Sequence, residues 1–353
     1  MNKSFSMTMP PEKTSEKHFK NEHLGNKYLN DDTNIYNREI LLKENIEATQ
    51  TTNGPAKITG SSNSSEREIS TKNNVKAQDD EIQQNVKVTS NNTEIVSKFV
   101  HCRKVDHIAA LNNTCAWIAG SGYLDLVSTN GKILRSIKIN FPVRGMTITK
   151  DGKLLLSTEG RIKQLLDTGE VTDLVQVGRF NANGIYVSDR NEVLVCLYKD
   201  DVGELIRRLT PEGQTIQTIS HDKNGSQLFA WPWYIAETKE GDIWVSDYTE
   251  ECIIVINNKS EPKFKYNGPS HIKMDKQFYP RGMISNRLGQ IVVIDRGNEA
   301  VHLVDKDGHF VKFILTKDDG LNGPYSLSQD NEGTIWVGCA SRKIVIIAKY
   351  LKP

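Results

Sequence analysis

Six residues stand two places before a recurring apolar position in the chain: Asp106, Arg144, Asn183, Trp233, Arg281 and Tyr325. Two guanidinium groups, an amide, an indole, a phenol and a carboxylate suit recognition better than bond making. Guanidinium groups hold carboxylates and phosphates through paired hydrogen bonds, and aromatic faces stack on flat groups. Further cations and rings stand just outside this set: Arg161, Arg179, Trp231, Arg296 and Arg342. Residues so far apart in sequence act together only if the elements that carry them converge.

Those elements repeat. The apolar anchors are Ile108, Met146, Ile185, Ile235, Met283 and Leu327, and each is followed six positions later by a turn residue such as Gly152, Gly241 or Gly289. An apolar strand then follows in every case: CAWIAG, KLLLST, EVLVCL, DIWVSD, QIVVID and TIWVGC. The anchors recur at roughly 40 to 50 residues, the period of propeller blades and too long for leucine-rich or ankyrin units. Short sheets arranged radially hide their edges from one another. The spacing therefore predicts an all-β, six-bladed β-propeller over 94–353. The last repeat lacks a fourth strand, while Glu94-Ile95-Val96-Ser97-Lys98-Phe99-Val100 precedes the first repeat without a partner there. Closure of the ring by 94–100 against the last blade is expected.

Residues 1–93 are different in kind. They are rich in Asn, Lys, Glu, Ser and Thr, and all five Trp and all five Cys lie beyond residue 100. So little apolar surface cannot offset the roughly 1–2 kcal/mol per residue that ordering the backbone costs. A disordered polar tail is predicted, with a short helix over 35–47 where Ile35, Leu42 and Ile46 share a face. Lys and Glu are interleaved along it, so it has no basic block of the kind that binds nucleic acid.

With a propeller expected, the residues resemble a family, the NHL-repeat propeller that ends the TRIM-NHL (tripartite motif) proteins. The likeness rests on Pro280-Arg281-Gly282-Met283, Asp295-Arg296-Gly297-Asn298 and Val304-Asp305-Lys306-Asp307-Gly308-His309-Phe310, followed by Gly323-Pro324-Tyr325 and Ile335-Trp336-Val337. It spans about the last 250 residues. The sequence departs from the pattern where Asn298 is followed by Glu299-Ala300 instead of His-Arg or His-Leu. It also lacks the Cys/His clusters of RING and B-box modules, since residues 1–93 contain no cysteine. Zinc modules need such clusters, so ligase activity does not carry over to this chain. The resemblance implies a channel-mouth face that binds a protein or peptide, as the recognition part of a TRIM-type ubiquitin ligase system. It implies, as the alternative, single-stranded RNA binding and repression, with Arg144, Asn183, Arg281 and Tyr325 matching in type and position.

The formal charge of +1 gives no field that would draw the whole molecule to DNA or an anionic membrane, so neither is an expected partner. No apolar run approaches the ~20 residues a bilayer requires, and the N-terminus has no signal-peptide core, so a cytoplasmic location is expected. The odd cysteine count fits reduced thiols in a core. Acidic residues, among them Glu159, Asp200, Asp247, Asp295 and Glu299, dilute the basic mouth. Asp247 and Asp295 are read as turn-fixing groups, and Trp244 and Trp336 as core. A metal-dependent lactonase or hydrolase is the third reading. It would need oxygen or His ligands converging from several blades, and the predicted ring offers Asp106 and Asn183, with Asp247 and Asp295 as further candidates, beside two arginines that repel a cation. No nucleophile and base can be paired by spacing, so no catalytic residue, metal or cofactor is expected.

Overall fold

A computed structural model of the chain describes residues 93–199 and 201–350. The predicted tail up to residue 92, its helix over 35–47, Asp200 and residues 351–353 lie outside the described residues. Strand β1 (Thr93–Val100) precedes an antiparallel sheet of β2 (His107–Ala110), β3 (Cys115–Gly120), β4 (Tyr123–Ser128) and β5 (Ile133–Lys138). Next come β6 (Gly145–Ile148), β7 (Leu154–Leu165), β8 (Val171–Val187), β9 (Val193–Lys199), β10 (Gly203–Leu209) and β11 (Thr215–Ile219), all in one six-stranded sheet. Two four-stranded sheets follow: β12 (Pro232–Glu237) with β13 (Ile243–Asp247), β14 (Cys252–Ile256) and β15 (Pro262–Tyr266), then β16 (Pro280–Ser285) with β17 (Ile291–Asp295), β18 (Ala300–Val304) and β19 (Phe310–Leu315). The last contains β20 (Pro324–Gln329), β21 (Ile335–Cys339) and β22 (Ile344–Tyr350), with β1 on its outer edge.

The fold is an all-β propeller of five sheets, and the expectation of six separate sheets is corrected by the sheet that runs from β6 to β11. Two turns expected to divide it are absorbed into strands. Strand β7 passes through Gly160 (φ 71) and β8 through Gly178 (φ 80), and Glu159 pairs with Asn181 across them. Pairing thus continues from the second repeat into the third, with register shifts between Glu159 and Arg161 and between Ala182 and Ile185. Both halves of this sheet still send a strand to the axis, β6 and the 182–187 part of β8.

Sequence patterning explains the rest. The middle strands CIIVI, IVVID and IWVGC are buried along their whole length, so they read as continuous apolar runs instead of alternating ones. Outer strands alternate over part of their length, as β5 does where exposed Leu134, Ser136 and Lys138 interleave with partly buried Arg135 and Ile137. Apolar clusters fill the gaps between adjacent sheets. One holds Trp336, Val345 and Ile347 of the last sheet against Ile108, Ala116 and Val127 of the first, with Phe99 of β1 among them.

Strand β1 joins the two ends of the described propeller. It pairs antiparallel with β22 from Thr93↔Tyr350 to Val100↔Ile344, with a bulge between Ile95 and Ser97. It also reaches the first sheet: Ser97 Oγ donates to the Thr129 carbonyl at 2.6 Å, and the Phe99 ring lies against Gly131 (φ 80), where a Cβ would sit 2.7 Å from it. Phe99→Ala is expected to destabilise the propeller by about 3–5 kcal/mol, since it empties a buried aromatic site at the seam. Urea titration followed by circular dichroism and Trp fluorescence checks this; a loss below about 1 kcal/mol would show that the seam is held elsewhere.

Candidate functional site

Inner strands crowd together at one end of the axis because three of them carry glycine where a side chain would collide with the neighbouring backbone. A Cβ on Gly282 would lie 2.8 Å from the Leu327 nitrogen, and one on Gly184 would overlap the Trp233 carbonyl oxygen. Backbone atoms cannot swing aside as side chains do, so these positions exclude every larger residue. Each such glycine follows a predicted mouth residue: Arg144-Gly145, Asn183-Gly184 and Arg281-Gly282. The same closeness that demands glycine thus gathers the preceding side chains.

Arg281 is the centre of what is gathered. Its residue is fully buried, and its guanidinium carbon lies 4.1 Å from the ring centre of Tyr279, 5.0 Å from Tyr248, 5.5 Å from Tyr325 and 5.7 Å from Trp233. Nη2 donates to the Tyr279 hydroxyl at 2.7 Å. Cation–π contacts contribute about 0.5–1 kcal/mol each where exposed and about 2 kcal/mol or more where desolvated. The rings continue outward. Trp231 stacks on Tyr198 at 4.2 Å with planes 7° apart, and lies 4.9 Å from Tyr248 and 5.7 Å from Trp233. All six rings, Tyr198, Trp231, Trp233, Tyr248, Tyr279 and Tyr325, are half-buried and keep part of their surface in water.

Two aspartates fix the loops that bear these rings. Asp247, at the end of β13, accepts from the backbone N–H groups of Ala230, Trp231, Thr249 and Glu250 at 2.8–3.1 Å, so one carboxylate sets both the Trp231 and Tyr248 loops. Asp295, at the end of β17, accepts from the N–H of Tyr279 at 3.1 Å and from Nδ2 of Asn298 at 2.7 Å. Asn298 in turn donates from Nδ2 to the Lys276 carbonyl at 3.0 Å and accepts the Lys276 N–H at 2.8 Å. Burial raises the Asp295 pKa against these hydrogen bonds, and burial alone lowers that of His302, 3.6 Å behind it, to about 3. Both acids have the turn-fixing role read from the sequence.

The remaining predicted residues are placed differently. Asn183 is buried and donates from Nδ2 to the Pro232 carbonyl at 3.2 Å, tying β8 to the start of β12. Arg144 forms an ion pair with Glu159 at 2.8 Å, and Asp106 one with Lys104 at 2.9 Å, so both face neighbours in their own repeats. Arg161 pairs with Asp173. The Arg296 guanidinium carbon lies 5.5 Å from the ring centre of Tyr325. Arg179 and Arg342 are exposed, outside the ring cluster. Of the predicted mouth residues the cluster therefore unites Trp233, Arg281 and Tyr325, with Trp231 at its rim. Arg281 acts from beneath the rings, where a ligand does not reach it.

Sequence reasoning missed Tyr198, Tyr279 and Glu251. Tyr279 carried a signal, since Trp231-Pro232-Trp233 and Tyr279-Pro280-Arg281 repeat an aromatic-Pro-X pattern at the same place. Glu251 carried none. It sits at φ 49 in the turn after β13, and burial raises its pKa although Arg281 attracts its charge.

Beyond the cluster an axial cavity of about 220 Å³ runs between the inner strands, and all six apolar anchors line it. None of the six predicted mouth residues does. Between cavity and mouth stand His107 and Tyr234, each with its ring centre 6.2 Å from that of Tyr325. Burial lowers the His107 pKa to about 4. Among the described residues no three His, Cys, Asp or Glu side chains are grouped so as to hold a metal ion, and no helix is long and apolar enough to cross a membrane. The five cysteines are free thiols; four are buried and Cys102 is exposed, which departs from the all-core placement expected of them.

No family model matches the chain, and no curated protein matches it by sequence. Solved structures do match in shape. A gluconolactonase from Xanthomonas campestris aligns at 14% identity over 73% of this chain and 89% of its own, with a TM-score of 0.57. Virginiamycin B lyase from Staphylococcus aureus aligns at 12% over 73% of this chain and all of its own, with a TM-score of 0.51. At such identities the likeness is one of fold: these proteins and this chain are β-propellers.

Arg281→Met keeps the volume and removes the charge. It is expected to destabilise the fold by about 2–4 kcal/mol and to change the near-UV circular dichroism of the Trp and Tyr rings, and an unchanged spectrum would mean that the rings hold their places without the cation. His107 bears on pH. Its folded pKa lies below the ordinary 6.5, so the unfolded chain takes up the proton first. Its share of stability is full above about pH 6.5 and is lost as pH falls towards 4, by about 3 kcal/mol in all. Urea unfolding at pH 7.5, 5.5 and 4.5 should show a shallower decline in His107→Gln than in the parent. Parallel declines would remove His107 as the cause.

Proposed function

We propose that the chain is a non-catalytic interaction module, and that the mouth sector between β12–β13 and β16–β17 holds a protein or peptide partner. The single observation that carries this reading is the cluster of six half-buried rings, four of them assembled around one buried arginine. Trp and Tyr bury large area at low cost in side-chain entropy, and with Arg they dominate the energetics of protein interfaces. Rings fixed in advance by Asp247, Asp295 and Arg281 would lose little further freedom on binding. By the NHL resemblance, with its six repeats, the partner is a protein presented to a fuller TRIM-type ubiquitin ligase assembly, and the setting is cytoplasmic.

A second reading, single-stranded RNA, is favoured by the parallel stack of Tyr198 on Trp231, which a base would extend. The lactonase and lyase neighbours supply a third, an enzyme.

Peptides selected by display against the full chain provide the test, with affinities read from Trp fluorescence. Trp231→Ala with Tyr248→Ala is expected to weaken the selected peptides at least tenfold, about 1.4 kcal/mol, and Arg342→Ala to leave them unchanged. Equal affinity for the parent and the double variant would sink the proposal. Salt-dependent binding of an RNA pool without peptide binding would favour the second reading, and hydrolysis of glucono-1,5-lactone the third.

A further inference from the structure

We propose that the axial cavity is a second binding site, separate from the aromatic mouth, which takes a small uncharged molecule with an apolar body and one or two hydrogen-bonding groups. It enters from the opposite face of the propeller. Three observations carry this.

The first is the lining. Apolar Ile108, Met146, Ile235, Met283 and Leu327 alternate with Thr147, Ser285, Ser328 and Gln329, and no Asp, Glu, Lys or Arg lines the space. Its titratable groups are neutral at ordinary pH: burial lowers the His107 pKa to about 4, and Tyr186 and Tyr234 are phenols whose pKa burial raises further. A charged solute would leave water with no opposite charge to compensate it, whereas a neutral one needs none.

The second is backbone. Strands β2, β6, β12, β16 and β20 are each the terminal strand of their sheet, so the edge facing the axis has no ladder partner. Such an edge presents N–H and C=O groups to whatever fills the cavity.

The third is direction. Lining residues at the mouth end, His107, Gly145, Tyr234, Gly282 and Ser326, are buried, and the rings of His107, Tyr234 and Tyr325 close the way there. At the far end Ile148, Tyr186, Ser285 and Gln329 are partly exposed. The cavity opens on that side.

Methionine methyl NMR on the full chain reads this site directly, because Met146 and Met283 line the cavity and Met274 lies in a loop outside it. The probes are benzyl alcohol, benzoate and benzylamine, which share a ring and differ in charge. Benzyl alcohol is expected to shift Met146 and Met283 saturably, leave Met274 in place, and bind at least tenfold tighter than either ion. Ser285→Trp or Ile148→Trp, each filling the open end, should abolish those shifts, while Trp231→Ala should preserve them. Two filling variants guard against one that fails to fold, which circular dichroism would reveal. No saturable shift, equal binding of ions and alcohol, or shifts that survive both filling substitutions in folded protein would overturn the proposal. Loss of the shifts in Trp231→Ala would overturn the separation of the two sites. Peptide binding at the mouth is read independently of this result.

Discussion

The close approach of backbone to backbone where neighbouring inner strands meet at Gly145, Gly184 and Gly282 is the constraint on which the rest of this propeller depends. Side-chain packing can adjust to a mismatch, but two strands at this distance have only main-chain atoms to move, and those are already committed to their ladders. The spacing of the inner strands is thereby set within narrow limits. It decides which side chains reach the axis, how wide the cavity is, and how near Arg281 comes to Tyr325 and Trp233 on either side.

A buried cation at such a place needs compensation, and the structure supplies much of it with ring faces. The quadrupoles of four aromatic rings and the Tyr279 hydroxyl surround the guanidinium. The arrangement is reciprocal. Arg281 needs the rings to keep water from it, and the four rings, two of them (Tyr248 and Tyr279) on loops, need a common centre to keep their orientations. Asp247 and Asp295 complete it by fixing the backbones from which Trp231, Tyr248 and Tyr279 project. Loops at protein surfaces ordinarily have many conformations, and here two carboxylates and one guanidinium leave them few.

How far the sequence disclosed this can be argued from particular residues. The step of six from anchor to turn picked out Ile108, Met146, Ile185, Ile235, Met283 and Leu327, and every one lines the axial cavity. That signal is strong because a position facing the axis is constrained by neighbours on both sides. The count of sheets was not legible. Whether the ladder breaks between Gly160 and Asn181 depends on backbone pairing across two glycines, and nothing in composition distinguishes a loop there from a strand that runs on. Residue type at the mouth was legible, but depth was not. Arg281 and Arg144 occupy equivalent positions in the chain, yet one is sealed under aromatics and the other pairs with Glu159 in partial contact with water. The difference lies in the neighbours. Trp233, Tyr248, Tyr279 and Tyr325 surround the first, and no such group of rings flanks the second.

That asymmetry gives the ring of inner strands a sided character. Rings and their cation concentrate on the sheets of β12–β15 and β16–β19, whereas the first repeats contribute ion pairs, Lys104 with Asp106 and Arg144 with Glu159. Partly exposed ion pairs of that kind contribute only about 0–1 kcal/mol and are screened by salt, so they define charge at the rim without anchoring a partner. The aromatic sector can bury apolar area, which is where interface energy comes from. A partner seated there would be held at one side of the mouth and oriented by the charges on the other. Its contact would stop at the plug of His107, Tyr234 and Tyr325, because the uncharged channel beyond begins on the far side of those rings.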